Sequence, residues 1–126
     1  MHKSRLAGFI IDCRTGDLDA AADFWSAALG LPTVPDPDSD PNRYRKLETA
    51  PDDLDIEVQK VDHESRVHLD IETDDIAAEV ARLEALGARE VGRAGGWVIM
   101  QAPTGQRFCV VRVFRPGFEA GANTWR

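Results

Sequence analysis

Imidazole, carboxylate and thiol are the side chains that hold protons and metals near neutral pH. This sequence sets several of them inside apolar, strand-like runs. His68 and Asp70 stand two apart in RVHLDIETDD, residues 66–75. In an extended strand that spacing puts both on one face. A carboxylate there can hold the imidazole in one tautomer and raise its pKa. Asp12 interrupts the apolar FIIDC, where a carboxylate must find partners or stay protonated. Cys109 lies in RFCVV, and Arg107, two residues before it, is the cation a reactive thiolate would need. Trp97 offers a flat apolar wall for a ligand. The candidate catalytic residues are therefore His68, Asp70 and Asp12. The candidate ligand-binding residues are Trp97, Cys109 and Arg107, and His68 doubles as a metal ligand. Each has a plainer reading. His68 and Asp70 could be strand residues hydrogen-bonded to neighbours, Asp12 could be tied to Arg14 or a backbone amide, and Cys109 and Trp97 could be core.

The elements that must position these groups follow from periodicity. LAGFIIDC, 6–13, reads as a buried strand. Asp17 caps a helix over LDAAADFWSAALG, closed by Gly30 and Pro32. Residues 31–42 carry four prolines and three aspartates, so they form a loop with room for no more than a short edge strand. Strands follow at 44–49 and 54–61. In the second, Leu54, Ile56 and Val58 alternate with Asp55, Glu57 and Gln59. The order then restarts. VHLDIET is a strand, Asp74 or Asp75 caps a helix with the stripe Ile76, Val80, Leu83 and Leu86, and strands follow at 88–92, 96–101 and 107–113. The tail FRPGFEAGANTWR holds Phe118 and Trp125 and packs somewhere.

DLDAAADFWSAALG (17–30) and DDIAAEVARLEALG (74–87) have the same length, the same starting Asp and the same Ala-Leu-Gly end. Two copies of one βαβββ unit account for this. One copy is too small to bury its sheet alone. Two side by side give an α+β fold: a curved, cup-shaped mixed sheet with helices on its outer face. The chain reads as a single domain over 1–126, with module one at about 6–61, module two at about 66–114 and a tail at 115–126.

The residues IIDC before DLDAAADFW, then ALGL, HLDIETDDIAAEVARLEALGA and APTGQRFCVV, make the sequence resemble the vicinal oxygen chelate superfamily. That superfamily includes glyoxalase I, bleomycin-resistance proteins and extradiol dioxygenases, and the resemblance is strongest to small glyoxalase-like domains. It implies paired βαβββ modules, often a dimer, and, where a metal is bound, His, Gln or Glu ligands on the first and last strands of each module. His68 matches the second-module first-strand position. The last-strand position falls on Cys109, and the first-module first-strand position on Ile10 or Ile11, neither of which is the usual ligand. Glu57 or Gln59 stands near the remaining one. A His/Cys pair suits zinc, with Asp12 and Asp70 as the nearest further donors.

Composition narrows the classes. With 126 residues, 43% hydrophobic and 29% charged, the chain is of ordinary globular type. No apolar run approaches the roughly 18 residues of a membrane span. A net charge of −7 disfavours nucleic acid. The segment AGG at 94–96 lacks the spacing of a nucleotide-binding loop. Cys13 and Cys109 are expected to be reduced, in a cytoplasmic location. The expected function is a small-molecule-binding glyoxalase-like protein with a degenerate metal site and no cofactor, working as a homodimer. The alternative is a lyase, isomerase or dioxygenase of the same superfamily. It would act through a divalent metal (Zn, Ni, Mn or Fe) or through His68 with a carboxylate.

Overall fold

A computed structural model describes all 126 residues. The chain is α+β. Its contacts divide it into two compact units, one made of Phe9–Val67 and the other of Met1–Gly8 with His68–Arg126. Strand β1 (His2–Arg14) contributes its first half to the second of these units and its second half to the first. It starts four residues earlier than hydrophobicity alone indicates. His2 and Ser4 are polar yet buried, and it is their pairing partners that extend the strand.

In the 9–67 unit, the end of β1 is followed by α1 (Leu18–Leu29), β2 (Thr33–Val34), β3 (Tyr44–Leu47) and β4 (Asp55–Val61). Asp17 caps α1 by accepting from the Ala20 amide at 3.0 Å. Gly30 ends it at φ 69°, a conformation glycine adopts freely. The proline-rich loop admits only the two-residue β2, which pairs antiparallel with β3. Strands β3 and β4 pair antiparallel in register Lys46↔Glu57. The core of this unit is Leu18, Leu47 and Val58, with Cys13, Trp25 and Ile56 packed against them.

In the other unit, β5 (Arg66–Thr73), α2 (Ile76–Ala85), β6 (Arg89–Ala94), β7 (Trp97–Gln101) and β8 (Arg107–Arg112) repeat the same βαβββ order. The strand order is β5-β8-β7-β6, with β5 and β8 parallel and the other pairs antiparallel. Of the two candidate caps, Asp75 is the one that caps α2, accepting from the Ala78 amide at 3.0 Å. Val80 and Leu83 of α2 pack on Val98, Met100 and Val110.

The tail is structured. A short helix, α3 (Phe118–Gly121), leads into β9 (Asn123–Trp125), which pairs antiparallel with the start of β1. Its anchor is a polar network that the hydrophobic pattern does not reveal. Glu79, fully buried, receives two 2.8 Å bonds from Arg82 and lies 2.8 Å from His2 Nε2. The Arg82 guanidinium stacks 3.9 Å from the Trp125 ring, and Trp125 Nε1 donates to Ser4 Oγ at 2.8 Å. A buried carboxylate needs such pairing to stay charged.

Candidate functional site

The sheet of the second unit has two unlike faces. Ile71, Val98, Met100, Phe108 and Val110 pack towards α2. Alternation then puts His68, Asp70 and Glu72 of β5 on the opposite face, together with Arg107, Cys109 and Val111 of β8 and Trp97 and Ile99 of β7. The strand register sharpens this. Asp70 lies directly opposite Cys109, and Cys109 directly opposite Ile99.

Three chemically capable groups meet there. His68 Nε2 is 3.4 Å from Asp70 Oδ1, and the two side chains are only 13% and 14% exposed. Donor atoms of His68, Asp70 and Cys109 all lie within 4.8 Å of one another. Next along β5, Glu72 is fully buried and bound by Arg5 at 3.1 Å. Burial pushes its carboxyl pKa up, against the pull of the Arg5 and Arg115 charges. Arg5 also donates to the carbonyls of Arg115, Pro116 and Gly117 and lies over the Phe118 ring, so the tail closes that end of the face.

The remaining candidates are placed as follows. Arg107, exposed, begins β8 on the face that carries Cys109. Trp97, half-buried, stands at the β6–β7 hairpin with its ring over Gly95, where a methyl group would come within 2.5 Å of the ring. Asp12 belongs to the 9–67 unit, where it is 3% exposed. Cys13 packs towards α1, which turns Asp12 to the face away from that helix.

That face of the 9–67 unit holds a group that the sequence pattern displayed but did not rank. Ile56 and Val58 pack towards α1, so Asp55, Glu57 and Gln59 point the other way. Lys46 Nζ is 3.4 Å from Asp55 Oδ1, and Asp55 is 4% exposed. Gln59 donates to the Tyr44 hydroxyl at 3.0 Å. Burial, a hydrogen bond and charge from Asp55, and the charge of Asp36 push the Glu57 carboxyl up to about 9, with Lys46 opposing. Glu57 therefore keeps its proton at neutral pH beside Asp55. The visible signal was the Asp-x-Glu alternation in β4. What was not visible was that loop residue Asp36 comes near enough to add its charge.

A separate cavity of about 620 Å³ opens in the 9–67 unit, lined by Phe9, Leu31, Pro51, Leu54 and Ile56 with Glu48 and Asp53 among its polar residues. It shares no residue with the His68 group.

The donor set at His68 can be weighed against a divalent metal. Imidazole, carboxylate and thiol within reach of one another supply three ligands, enough for a zinc-type site that keeps a fourth position open. Ile10, 4% exposed and apolar, cannot ligate. The set fits a metal through module-two residues.

Residues 8–111 match the family model described as a glyoxalase-like domain. Among solved structures, the chain resembles methylmalonyl-CoA epimerase from Mycobacterium tuberculosis with a TM-score of 0.61 and 20% identity over 86% of this chain and 87% of that one. It resembles a hypothetical protein from Bacillus halodurans C-125 with a TM-score of 0.66 and 12% identity, covering 90% and 97%. A glyoxalase/bleomycin resistance protein/dioxygenase superfamily member from Vibrio splendidus 12B01 matches with a TM-score of 0.54 and 18% identity, covering 85% and 98%. No curated protein sequence matches. No helix of the chain is long and apolar enough to cross a membrane.

Proposed function

The chain belongs to the glyoxalase-like domain family of the vicinal oxygen chelate superfamily, and from that premise we propose that it is a small-molecule enzyme whose reactive centre is the His68–Asp70–Cys109 group. The observation that carries this reading is the meeting of three donor atoms within 4.8 Å on one largely buried face. That convergence favours catalysis over binding alone.

In this reading His68, Asp70 and Cys109 hold a divalent cation, which when bound would polarise an oxygen of the ligand. The other residues shape the environment. Ile99 and Val111 flank the thiol with apolar surface. The Arg5–Glu72 pair closes the far end of β5 and leaves the near end, at Arg107, as the side of approach. Arg107 there offers a fixed positive charge to an anionic group on the ligand. Solved relatives include a methylmalonyl-CoA epimerase in complex with methylmalonyl-CoA, which makes acyl thioesters and related small carboxylates the first ligands to try.

A second reading, a metal-free proton-transfer pair, is favoured by the 3.4 Å approach of His68 Nε2 to Asp70. There Asp70 fixes the tautomer of His68, and the imidazole takes or gives the proton. Metal content of protein purified without an affinity tag decides between the two, together with thermal stability under titration of zinc, nickel, manganese and iron(II). One ion per chain, with stabilisation that is lost in His68→Ala, is the expected result. No bound ion and no stabilisation by any of the four would sink the metal-dependent reading.

A further inference from the structure

The resemblance that opened the functional question calls for oxygen and imidazole ligands. The Cys109 thiol stands at the last-strand position where that resemblance implies a carboxylate, directly across from Asp70. Such a substitution changes the character of the centre. Thiolate is a soft ligand that favours zinc and cobalt, whereas manganese and magnesium favour carboxylate, carbonyl and water. We infer that the His68–Asp70–Cys109 group selects a thiophilic divalent ion, zinc above all, and discriminates against manganese and magnesium. This rests on the metal-dependent reading and specifies which ion that reading requires.

Three observations support it. All three donors come from one unit, on two adjacent strands in fixed parallel register, so their spacing does not depend on a mobile loop. Cys109 is 9% exposed, and the flanking histidine and aspartate side chains are nearly as enclosed. That limits the number of waters an ion could retain, which disfavours magnesium, an ion that gives up its waters reluctantly. The third is stoichiometry. One nitrogen, one oxygen and one sulfur make three protein ligands and leave a single position for a ligand or water in a tetrahedral site, whereas an octahedral ion would lack half its shell.

The experiment uses cobalt(II) as a spectroscopic probe in the full chain, with Cys13→Ser as the background so that Cys109 is the sole thiol. Cobalt should produce a thiolate-to-cobalt charge-transfer band in the near ultraviolet. Stoichiometric zinc should abolish that band, and a large excess of manganese or magnesium should leave it. In Cys109→Ser the band should vanish. In Cys109→Glu the band should be absent and manganese affinity should rise relative to zinc. Cobalt bound at one per chain without the band, or manganese competing on equal terms with zinc, would overturn the inference and leave the metal-dependent reading standing. No binding of any divalent ion, with His68→Ala behaving as the parent, would sink that reading and this inference together.

Discussion

Asp70 and Cys109 face each other across the parallel strands β5 and β8, and His68, two residues before Asp70, shares their side of the sheet. Three groups that the sequence scatters over 42 positions are thereby joined into one centre by strand register alone.

His68→Ala should separate function from fold. The side chain is enclosed but makes no apolar core contact among the clusters that hold the unit together. Metal-free stability should change by less than about 1 kcal/mol. Stabilisation by added metal should disappear, where the parent gains about 3 kcal/mol at a free-metal concentration a hundredfold above its dissociation constant. Paired thermal melts with and without zinc read both quantities.

Glu57 should make the protein less stable as pH rises. Burial first, then the hydrogen bond and charge from Asp55, raise its folded pKa to about 9. The folded state therefore holds a proton that the unfolded chain gives up near 4.5. Stability falls between those two values, with a slope of at most about 1.4 kcal/mol per pH unit. Glu57→Gln removes the slope, so the variant should be the more stable protein at about pH 8. Urea denaturation at a series of pH values tests this, and parallel pH profiles would argue against it.

Glu79 has the opposite sign. Burial pushes its carboxyl up, but hydrogen bonds from Arg82, His2 and Ser4 together win and hold it below the usual range. Its contribution is complete above the unfolded value and is lost as pH falls through the folded one. Glu79→Ala leaves Arg82 and His2 without their shared partner and should cost about 3–5 kcal/mol at neutral pH. Glu79→Gln should cost less and should flatten the acid limb of the stability profile.

Trp125→Ala should loosen the tail. It removes the bond to Ser4 and the stacking of Arg82. A loss of about 1–3 kcal/mol is expected. Hydrogen exchange at Lys3 and Ser4 should accelerate more than at Val98 or Val110, because β9 pairs only with the beginning of β1.

Gly95→Ala should disturb Trp97 selectively. Gly95 sits at φ 55°, and a methyl group there meets the indole at 2.5 Å. A cost of about 1–3 kcal/mol is expected, with the indole displaced. A shift in tryptophan emission, read against the same substitution in a Trp97→Phe background, isolates the effect.

The sequence made the repeat legible because helix caps and stops are local. Asp17, Asp75 and Gly30 act within a few residues, and all three do what their positions imply. The α+β class and the βαβββ order follow from those signals together with the period-two strands. What was not legible depends on distant partners. Polar His2 and Ser4 are strand residues because Trp125 and Asn123 pair with them from the far end of the chain. Within the candidate site, the shared face of His68 and Asp70 could be read from spacing, whereas Cys109 was paired with His68 only through the family resemblance, because strands β5 and β8 are far apart in sequence. Asp12, grouped with His68 on sequence, lies among the residues of the other unit.

Strand β1 also bears on the order of events in folding. Residues 9–67 form a unit that is contiguous in sequence, so most of its contacts close short loops. The other unit needs residues 1–8 alongside 68–126, and its longest-range pairing, His2 with Trp125, closes a loop of nearly the whole chain. Long closures come late and slowly. The face that carries His68, Asp70 and Cys109 is thus assembled in the slower half of the molecule, and a chain stalled before that closure would carry a finished first module while that face stayed unsealed.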